Sequence, residues 1–266
     1  MASGLIPSFL MTPFPDLTDD ELLRYSRHIL LPQVDIAGQQ RIRNASVLVV
    51  GAGGLGSPIL LYLAAAGVGE LRIADGDTVD ATNLQRQIVH TTDSVGQAKT
   101  SSAAATLKRL NPDCQVVEID RALDQDGLHR WAQGCDLVVI GTDSFASRYD
   151  ANVVCIELGL PLVSGAALGM SGQATSIDVR RDDSPCFRCL YPDGEDGEVS
   201  CATSGVLGPL VGMIGAIQAT EALKILAGIG EPLVGQLLTV DALDMSVHRF
   251  QFKRNPTCPD CAHRPT

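Results

Sequence analysis

Two pairs of cysteines, far apart in the chain, have the spacing of metal ligands. Cys186 and Cys189 form one C-x-x-C pair, and Cys258 and Cys261 form the other. Four thiolates complete a tetrahedral site with no open position, which favours structural zinc over catalytic zinc. An iron–sulfur cluster, redox-active pairs or disulfides are the alternatives. A metal held by both pairs would fasten the end of the chain to its body, because its binding free energy adds to the free energy of folding.

A glycine-rich turn is the second feature that could take part in binding or catalysis. Gly51, Gly53 and Gly56 form G-x-G-x-x-G after the apolar run Ser46–Val50. The first glycine permits a tight turn, the second lets a phosphate approach the backbone, and the third lets a helix pack close to a sheet. The helix that begins here directs free N–H groups and the positive end of its dipole at an anion.

An acid follows the next predicted strand. Leu71–Ala74 is a second apolar run, and Asp75 comes directly after it. This is about 20 residues beyond the glycines, the position from which a carboxylate binds ribose hydroxyls. The combination predicts a nucleotide-binding βαβ unit, and the alternative is an ordinary crossover whose glycines serve only packing.

Polar residues follow, at the edge of the predicted sheet where open α/β sheets bind ligands. The polar segment Asp77–Thr92 includes Asn83 and Arg86. Lys99 lies in the first turn of the next predicted helix, 96–110, where the helix dipole disfavours a cation. We therefore expect it to serve a bound anion, and the alternative is a solvated side chain.

Asp143 follows a further predicted strand, Asp136–Ile140. A carboxylate at this edge of the sheet is well placed to hold Mg²⁺ on the phosphates of a nucleotide. The alternative is a cap for the helix that follows, and one side chain could do either.

Cys201 differs from the other unpaired cysteines, Cys114, Cys135 and Cys155, which lie in or beside apolar segments and are expected to be core thiols. It follows a polar loop and precedes the long predicted helix Pro209–Leu226. A thiol near the start of a helix can have a depressed pKa and become nucleophilic.

The elements before the glycine turn begin with a capping box. Thr18 and Glu21 form T-x-x-E, which predicts a helix from about residue 19 to 31. Arg24 and Arg27 are three residues apart, on neighbouring positions of one helix face. The alternative for these arginines is a solvated basic face.

Strands and helices alternate through most of the chain and predict an α/β fold. We expect a Rossmann-like sheet with a parallel nucleotide-binding half and antiparallel C-terminal strands, plus the four-cysteine zinc site. The further strands are predicted at Gln115–Ile119, Pro161–Ser164, Gln173–Val179, Gln236–Val240 and Val247–Phe252. No linker is evident, so residues 1–17 are expected to be a flexible arm and residues 18–266 a single domain, divided near residue 165.

Composition limits the partners. The chain has 266 residues, 45% of them hydrophobic, and a net charge of −11. An acidic surface repels nucleic acid and anionic membranes, so neither is expected to bind. No secretory signal is evident, and the apolar stretch Val206–Gly228 carries Gln218, Glu221 and Lys224 and is expected to be a buried helix. A cytoplasmic protein is the expectation.

The motifs, taken together and in order, resemble a known family. They are RYSRHILLP, VLVVGAGGLGS, ADGDTVDATNLQRQ, VGQAK, GTDS, LVSGAA, SPCFRCL and NPTCPDC, and they extend from about Thr18 to Cys261. The chain is similar to the adenylyltransferases that activate ubiquitin-like sulfur carriers, whose members serve molybdopterin synthase and the thiamine pathway. Ubiquitin-activating enzymes share this catalytic domain.

The resemblance implies a reaction. The C-terminal Gly-Gly carboxylate of a small carrier protein attacks the α-phosphate of ATP, which gives an acyl-adenylate and pyrophosphate, and the activated carboxyl later becomes a thiocarboxylate. The small subunit of molybdopterin synthase is the expected carrier, and the thiamine carrier or another carrier is the alternative. The family implies Mg²⁺ and zinc in addition to ATP, and a separate sulfur donor such as a cysteine desulfurase or a rhodanese.

The resemblance also implies roles for individual residues. Gly54 would contact the nucleotide and Asp75 the ribose, while the phosphates would be bound by Asn83, Arg86 and Lys99. Asp143 would hold Mg²⁺, and the residue after it, Ser144, stands where the family often has asparagine, which puts one minor nucleotide contact in doubt.

Three further roles follow from the same resemblance. Arg27 would reach into the site of a second subunit, which implies a homodimer. The paired cysteines match the zinc site of the family. Cys201 matches the position at which some members carry a reactive cysteine that bonds the carrier.

Two other functions compete with this interpretation. A nicotinamide-dependent dehydrogenase would share the glycine motif, but the chain has no Tyr-x-x-x-Lys pair and its basic residues cluster as a triphosphate site requires. A non-catalytic zinc-containing scaffold that binds nucleotide or carrier would be expected to lack a phosphate-binding arginine or the Mg²⁺ acid, and none of these residues is missing.

Overall fold

The computed structural model describes residues 14–194 and 205–264. The strands are β1 Ser46–Val50, β2 Glu70–Ala74, β3 Gln115–Ile119, β4 Leu137–Ile140, β5 Pro161–Leu168, β6 Ser171–Asp178, β7 Gln236–Asp241 and β8 Ser246–Gln251. The helices are α1 Asp19–Arg24, α2 Ser26–Ile29, α3 Asp35–Asn44, α4 Gly56–Ala65, α5 Lys99–Leu110, α6 Gln125–Ala132, α7 Phe145–Leu158, α8 Phe187–Leu190 and α9 Gly208–Ala227.

All eight of these strands form one sheet, in the order β3-β2-β1-β4-β5-β6-β7-β8. The pairs from β3 to β5 are parallel and the pairs from β5 to β8 are antiparallel. The predicted fold class is therefore confirmed. The predicted division near residue 165 falls within β5, so the two halves of the chain share this sheet.

Side chains alternate across the buried strands, so each face of the sheet has its own core. In β1, Val47 and Val49 pack with α3, α4, α5 and α9, whereas Leu48 and Val50 pack with α6 and α7 on the other face. Continuous apolar strands of this kind are typical of parallel sheets that are covered on both sides.

The helix predicted from residue 19 to 31 is wrong in one respect, because the chain leaves helical geometry at Tyr25. The capping box of Thr18 and Glu21 is present, and α1 ends after Arg24. Tyr25 then turns its ring against Gly67, and its hydroxyl accepts a hydrogen bond of 2.9 Å from Asn111. The buried ring and its bond outweigh the continuation of a short helix, and Arg24 and Arg27 therefore do not share one continuous helix face.

The apolar helix α9 is a core element, as expected. It is the one helix among residues 14–194 and 205–264 that is long and apolar enough to cross a membrane, and 56% of its most apolar window is buried inside the fold. Gln218 on this helix donates a 2.8 Å hydrogen bond to the carbonyl of Ile140, and Glu221 accepts bonds from Ser176 and Leu233. These buried bonds fasten α9 to the sheet.

Candidate functional site

The strand order places a crevice at the carboxyl ends of β1 and β4. From β1 the chain moves to β2 and β3 on one side, and it later returns to β4 and β5 on the other. The register pairs Val50 with both Ala74 and Ile140, so these three strands end at the same level. Open α/β sheets bind their ligands at such a reversal of strand order.

The three motif glycines of the turn after β1 have different structural roles. Gly51 has φ +99°, and a Cβ there would lie 3.0 Å from the Gly141 carbonyl carbon. A Cβ on Gly56 would lie 2.0 Å from the Gly51 oxygen. These two glycines allow the turn, the helix and the end of β4 to meet at backbone distance. A Cβ on Gly53 would have only the Gln87 amide nitrogen within 4 Å, at 3.6 Å, so space above this residue is open.

Asp75 hydrogen-bonds the backbone of this turn. Its carboxylate accepts hydrogen bonds from the backbone N–H of Ala52 at 2.8 Å and of Asp77 at 2.9 Å. An ionised carboxylate has about four lone-pair positions, so further donors, such as ribose hydroxyls, can still bind it.

Lys99 is buried and paired, which excludes the solvated alternative. Its side chain is only 7% exposed, and its ammonium lies 2.7 Å from Asp77 and 3.9 Å from Asp75. Asp77, whose side chain is 73% exposed, covers the ammonium from the solvent side. Nothing in the sequence distinguished Asp77 as the partner, because the contact depends on how the loop after β2 folds back onto α5.

The polar loop presents Arg86 beside the glycine turn. A Cβ on Gly54 would lie 3.5 Å from the Arg86 Cγ, so the stem of the arginine runs along the turn. The guanidinium donates to the Asn83 side-chain oxygen at 3.2 Å and to the Thr82 carbonyl at 3.4 Å. Both are long hydrogen bonds, which leaves most of the donor capacity of Arg86 available.

Two buried acceptors near the turn have no hydrogen-bond partner within the described residues. They are the side-chain oxygens of Gln87 and Thr142. Gln87 lies beside Gly53, and the Thr142 methyl would lie 3.1 Å from a Cβ on Gly51. Buried polar atoms are seldom left without a partner, so their clustering around the turn is suited to a polar ligand.

Asp143 lies exposed at the end of β4, two residues beyond Gly141. It is not the cap of the following helix, because the Ser144 hydroxyl accepts the capping bond from the Ser147 N–H at 3.3 Å. The alternative of a capping Asp143 is thereby removed, and within residues 14–194 and 205–264 no hydrogen bond or ion pair occupies its carboxylate. The same bond gives Ser144 a structural role at the start of α7.

Among the described residues of one chain, Arg27 lies apart from the other predicted site residues. Its helix, α2, is fixed at the C-terminal end of α4, where Gln39 bridges His28 and the Ala66 carbonyl. The glycine turn lies at the opposite end of α4, and ten helical residues span about 15 Å. Arg27 itself is exposed.

The four paired cysteines converge on one point. The sulfurs of Cys186 and Cys189 are 3.8 Å apart, those of Cys186 and Cys258 are 3.6 Å apart, and those of Cys189 and Cys261 are 3.5 Å apart. Zinc–sulfur bonds of about 2.3 Å place the sulfurs of a tetrahedral site about 3.8 Å apart. Disulfides require about 2.05 Å, so no such bond is present here. The cluster could therefore hold a tetrahedral metal ion.

Hydrogen bonds join the cluster to its surroundings. The Asn255 N–H donates to the Cys189 sulfur at 3.3 Å, and the hydrogen bond between Cys186 and Cys189 lowers the pKa of the Cys189 thiol and raises that of Cys186. Asn152 on α7 donates to Asp260 and accepts from the Phe187 N–H, which joins the two cysteine-bearing segments to the body. By contrast, burial raises the pKa of the Cys114 thiol to about 12, as expected for a core cysteine. Cys201 lies outside the described residues.

A buried histidine, His90, is not among the residues predicted from the sequence. His90 lies between the glycine turn and α5, and its ring nitrogens contact the Ala52 carbonyl and the Ser102 hydroxyl. A single histidine near the end of a polar segment carries no signal of its own in the sequence, so only the tertiary contacts reveal it.

Comparison with known proteins identifies the family of the chain. The model of the ThiF family matches residues 25–260. The SAMP-activating enzyme E1 of Haloferax volcanii is 49% identical over 91% of this chain and 89% of its own length. The molybdopterin-synthase adenylyltransferase of Salmonella typhimurium is 42% identical over 92% of this chain and 98% of its own length.

A solved structure shares the fold. The crystal structure of E. coli MccB with ATP superimposes with a TM-score of 0.76 and 23% identity, over 86% of this chain and 70% of that protein. At this identity the likeness establishes the fold alone. The family match and the two relatives confirm the resemblance seen in the motifs, and the chain belongs to the ThiF family.

Proposed function

We propose that this protein is an adenylyltransferase that uses ATP to activate the C-terminal Gly-Gly carboxylate of a ubiquitin-like sulfur-carrier protein. The observation that carries the proposal is the match to the ThiF family over residues 25–260, with the relatives whose names state this type of activity. The open glycine turn, with Lys99 and Arg86 beside it, is the site to which the reaction is assigned.

The electrostatics of the site suit this reaction. A carboxylate that attacks a triphosphate brings two anions together, and negative charge then builds up on the α-phosphate and on pyrophosphate. Arg86 can neutralise that charge, and Asn83 adds a polar group beside it. Lys99 can contribute when the exposed carboxylate of Asp77 moves away from its ammonium. No general base is needed, since a carboxylate with a pKa of about 4 is already ionised at neutral pH.

The nucleotide is proposed to lie over the turn. Gly53 offers the open approach for phosphate, Gly51 and Gly56 shape the turn, and Gly54 is assigned a contact with the nucleotide. Asp75 is assigned the ribose, because it has acceptor capacity left and lies directly below the turn. The partnerless oxygens of Gln87 and Thr142 could be satisfied by the same ligand.

Asp143 is proposed to hold Mg²⁺ together with phosphate oxygens of ATP. Mg²⁺ is usually bound by one or two carboxylates plus substrate phosphates, and Asp143 is an exposed carboxylate at the correct edge of the sheet. When bound, the ion would neutralise charge on the phosphates, while Asp143 fixes its place beside the turn.

Zinc is the metal proposed for the cysteine cluster. Four sulfur ligands at tetrahedral spacing with no open position fit a structural zinc ion. Cys186, Cys189, Cys258 and Cys261 would hold it, and its role would be to join residues 255–264 to α8.

A homodimer is proposed because Arg27 is remote from the other site residues of its own chain. Exposed leucines and an isoleucine flank it, namely Leu23, Leu30, Leu31 and Ile36. A cluster of exposed large apolar side chains is typical of an interaction surface. A second subunit on this surface could receive Arg27 in its own nucleotide site.

The most specific part of the proposal is the identity of the carrier. We favour the small subunit of molybdopterin synthase, and the thiamine carrier or another carrier is the alternative, since relatives of similar identity differ in the partner their names state. Carrier choice depends on complementary surfaces. A separate donor such as a cysteine desulfurase or a rhodanese would supply sulfur, and the setting proposed is the cytoplasm.

The test is ATP–pyrophosphate exchange with Mg²⁺, run separately with each Gly-Gly carrier from the same organism. Exchange that requires one carrier would support adenylation and identify the carrier, and exchange with several would indicate a shared activating enzyme. A carrier that lacks its terminal glycine is the matched control and should give none. ATP binding without exchange on any carrier would contradict the proposal and favour a non-catalytic scaffold.

A further inference from the structure

Hydrogen bonds to neighbouring residues orient the peptide groups of the glycine turn. The Ala52 N–H donates to Asp75 at 2.8 Å, and the Ala52 carbonyl contacts His90 Nε2 at 2.9 Å. The Gly53 carbonyl accepts from the N–H and the hydroxyl of Ser57, at 2.9 and 2.7 Å. Three consecutive peptide groups are therefore oriented by side chains or by the helix that follows.

These bonds determine where the free N–H groups of the turn point. In a trans peptide the carbonyl and the next N–H point in opposite directions. The Ala52 carbonyl points inward at His90, which is buried, so the Gly53 N–H points outward. Within the described residues the N–H groups of Gly53 and Gly54 have no hydrogen-bond partner. Successive N–H groups that face one way form an anion-binding concavity.

The chemistry of the contacts assigns the protonation of His90. A carbonyl oxygen can only accept, so Nε2 must carry the hydrogen that bonds Ala52. Nδ1 is then the acceptor for the Ser102 hydroxyl, 2.9 Å away. Burial lowers the pKa of His90, which favours this neutral form.

His90 also joins the turn to the helix that carries Lys99. Ser102 is buried in the second turn of α5, three residues after Lys99. The imidazole therefore contacts both the Ala52 carbonyl of the turn and the Ser102 hydroxyl of α5.

We propose that His90 is a positioning residue for nucleotide binding, whose Nε2–H bond to Ala52 orients the Gly53 N–H toward the phosphates of ATP. The inference rests on the proposed function, because it requires ATP to bind at the glycine turn. His90 does not touch the nucleotide, and it acts through the Ala52–Gly53 peptide.

Two substitutions separate the two nitrogens of His90. In His90→Gln the side-chain amide nitrogen can take the position of Nε2 and keep the bond to Ala52. In His90→Asn the shorter amide reaches only the position of Nδ1, so the bond to Ser102 can remain while the bond to Ala52 is lost. Ser102→Ala is the matched control, because it removes the other hydrogen bond and leaves Nε2 in place.

The measurement is the Kd of Mg·ATP for the full chain without carrier, by titration calorimetry, alongside thermal unfolding. His90→Asn is expected to weaken ATP binding about 3- to 10-fold, the range of one lost hydrogen bond, with His90→Gln and Ser102→Ala within about 2-fold of the parent protein. A structural role alone would lower thermal stability in all three variants without this separation. Equal ATP affinity in the asparagine and glutamine variants would overturn the proposal.

A second measurement covers the case in which His90→Asn does not fold. The imidazole ¹⁵N spectrum of the unmodified protein should show the neutral Nε2–H tautomer and a shift of Nε2 when ATP saturates the site. An Nδ1–H tautomer would contradict the assigned bond and overturn the inference. Failure of the unmodified protein to bind ATP would instead contradict the proposed function, so the two failures are distinguishable.

Discussion

Gly53 and Gly54 are adjacent, yet alanine should have different effects at the two positions. A Cβ on Gly54 would lie 2.8 Å from Val211 Cγ1 on α9, closer than ordinary van der Waals contact, whereas a Cβ on Gly53 meets only the Gln87 amide at 3.6 Å. Neither glycine has positive φ, so alanine is compatible with the backbone at both positions.

The magnitudes follow from these distances. Overpacking of a core contact costs about 1–3 kcal/mol, and the lower chain entropy of alanine in the unfolded state returns about 0.4–1 kcal/mol. Gly54→Ala should therefore lower the free energy of unfolding by up to about 2.5 kcal/mol, which corresponds to about 2–4 °C in Tm per kcal/mol for a protein of this size. Gly53→Ala should leave Tm unchanged or slightly raised.

ATP affinity should show the opposite order. A methyl group on Gly53 occupies the open approach of the phosphates, and the loss of a hydrogen bond to a charged group costs about 1.5–3 kcal/mol. We expect the Kd of Mg·ATP to rise about 10- to 100-fold in Gly53→Ala. Titration calorimetry without carrier and thermal unfolding at one fixed protein concentration measure the two effects.

A double variant isolates the clash at Gly54. In Gly54→Ala/Val211→Ala the added methyl group has room, so the double variant should be no less stable than Val211→Ala alone. If Gly54 also contacts the nucleotide, ATP affinity stays reduced in the double variant, whereas recovered affinity would limit Gly54 to packing. Equal destabilisation by Gly53→Ala and Gly54→Ala would refute a steric difference between the two positions.

Three further predictions concern the other proposed site residues. Arg86→Ala should reduce ATP–pyrophosphate exchange by at least about 100-fold, because the phosphates lose a hydrogen-bond donor and a positive charge. Tm should be nearly unchanged, because the hydrogen bonds of Arg86 to Asn83 and Thr82 are long. The control Arg130→Ala removes an exposed arginine of α6 and should retain activity. Cys258→Ser should lower both the zinc content, measured by metal analysis, and Tm, and full zinc with an unchanged Tm would refute a four-sulfur site. Cys201→Ala should leave ATP–pyrophosphate exchange intact and affect only later sulfur transfer, so a variant inactive in exchange would show that this cysteine was misinterpreted.

Features that depend on local geometry were predictable from the sequence. The G-x-G-x-x-G turn, the capping box of Thr18 and the strand Gln115–Ile119 each require particular residues at short spacing, and the structure has them where the sequence predicts. The cysteine cluster was predictable for a related reason. Each C-x-x-C pair is local, and a four-coordinate metal site leaves few ways to combine two pairs.

Other features arise between segments that are distant in the chain. The break at Tyr25 depends on Gly67 and Asn111, and the burial of Lys99 depends on the loop that carries Asp77. No pattern within any of these segments specifies its partner. Helix propensity therefore predicted a continuous helix from residue 19 to 31, and local charge alone did not exclude a solvated side chain for Lys99.

The glycine turn shows most directly which features the sequence determined and which the tertiary structure decided. Residue types and spacing alone determined that a strand, a turn and a helix would offer an anion-binding backbone here. Tertiary structure decided which groups hold that backbone in place, namely Asp75 after β2, His90 before α5 and Val211 on α9. The physical reason is that backbone conformation follows from neighbours along the chain, whereas burial and hydrogen-bond partners depend on which segments the sheet topology brings together.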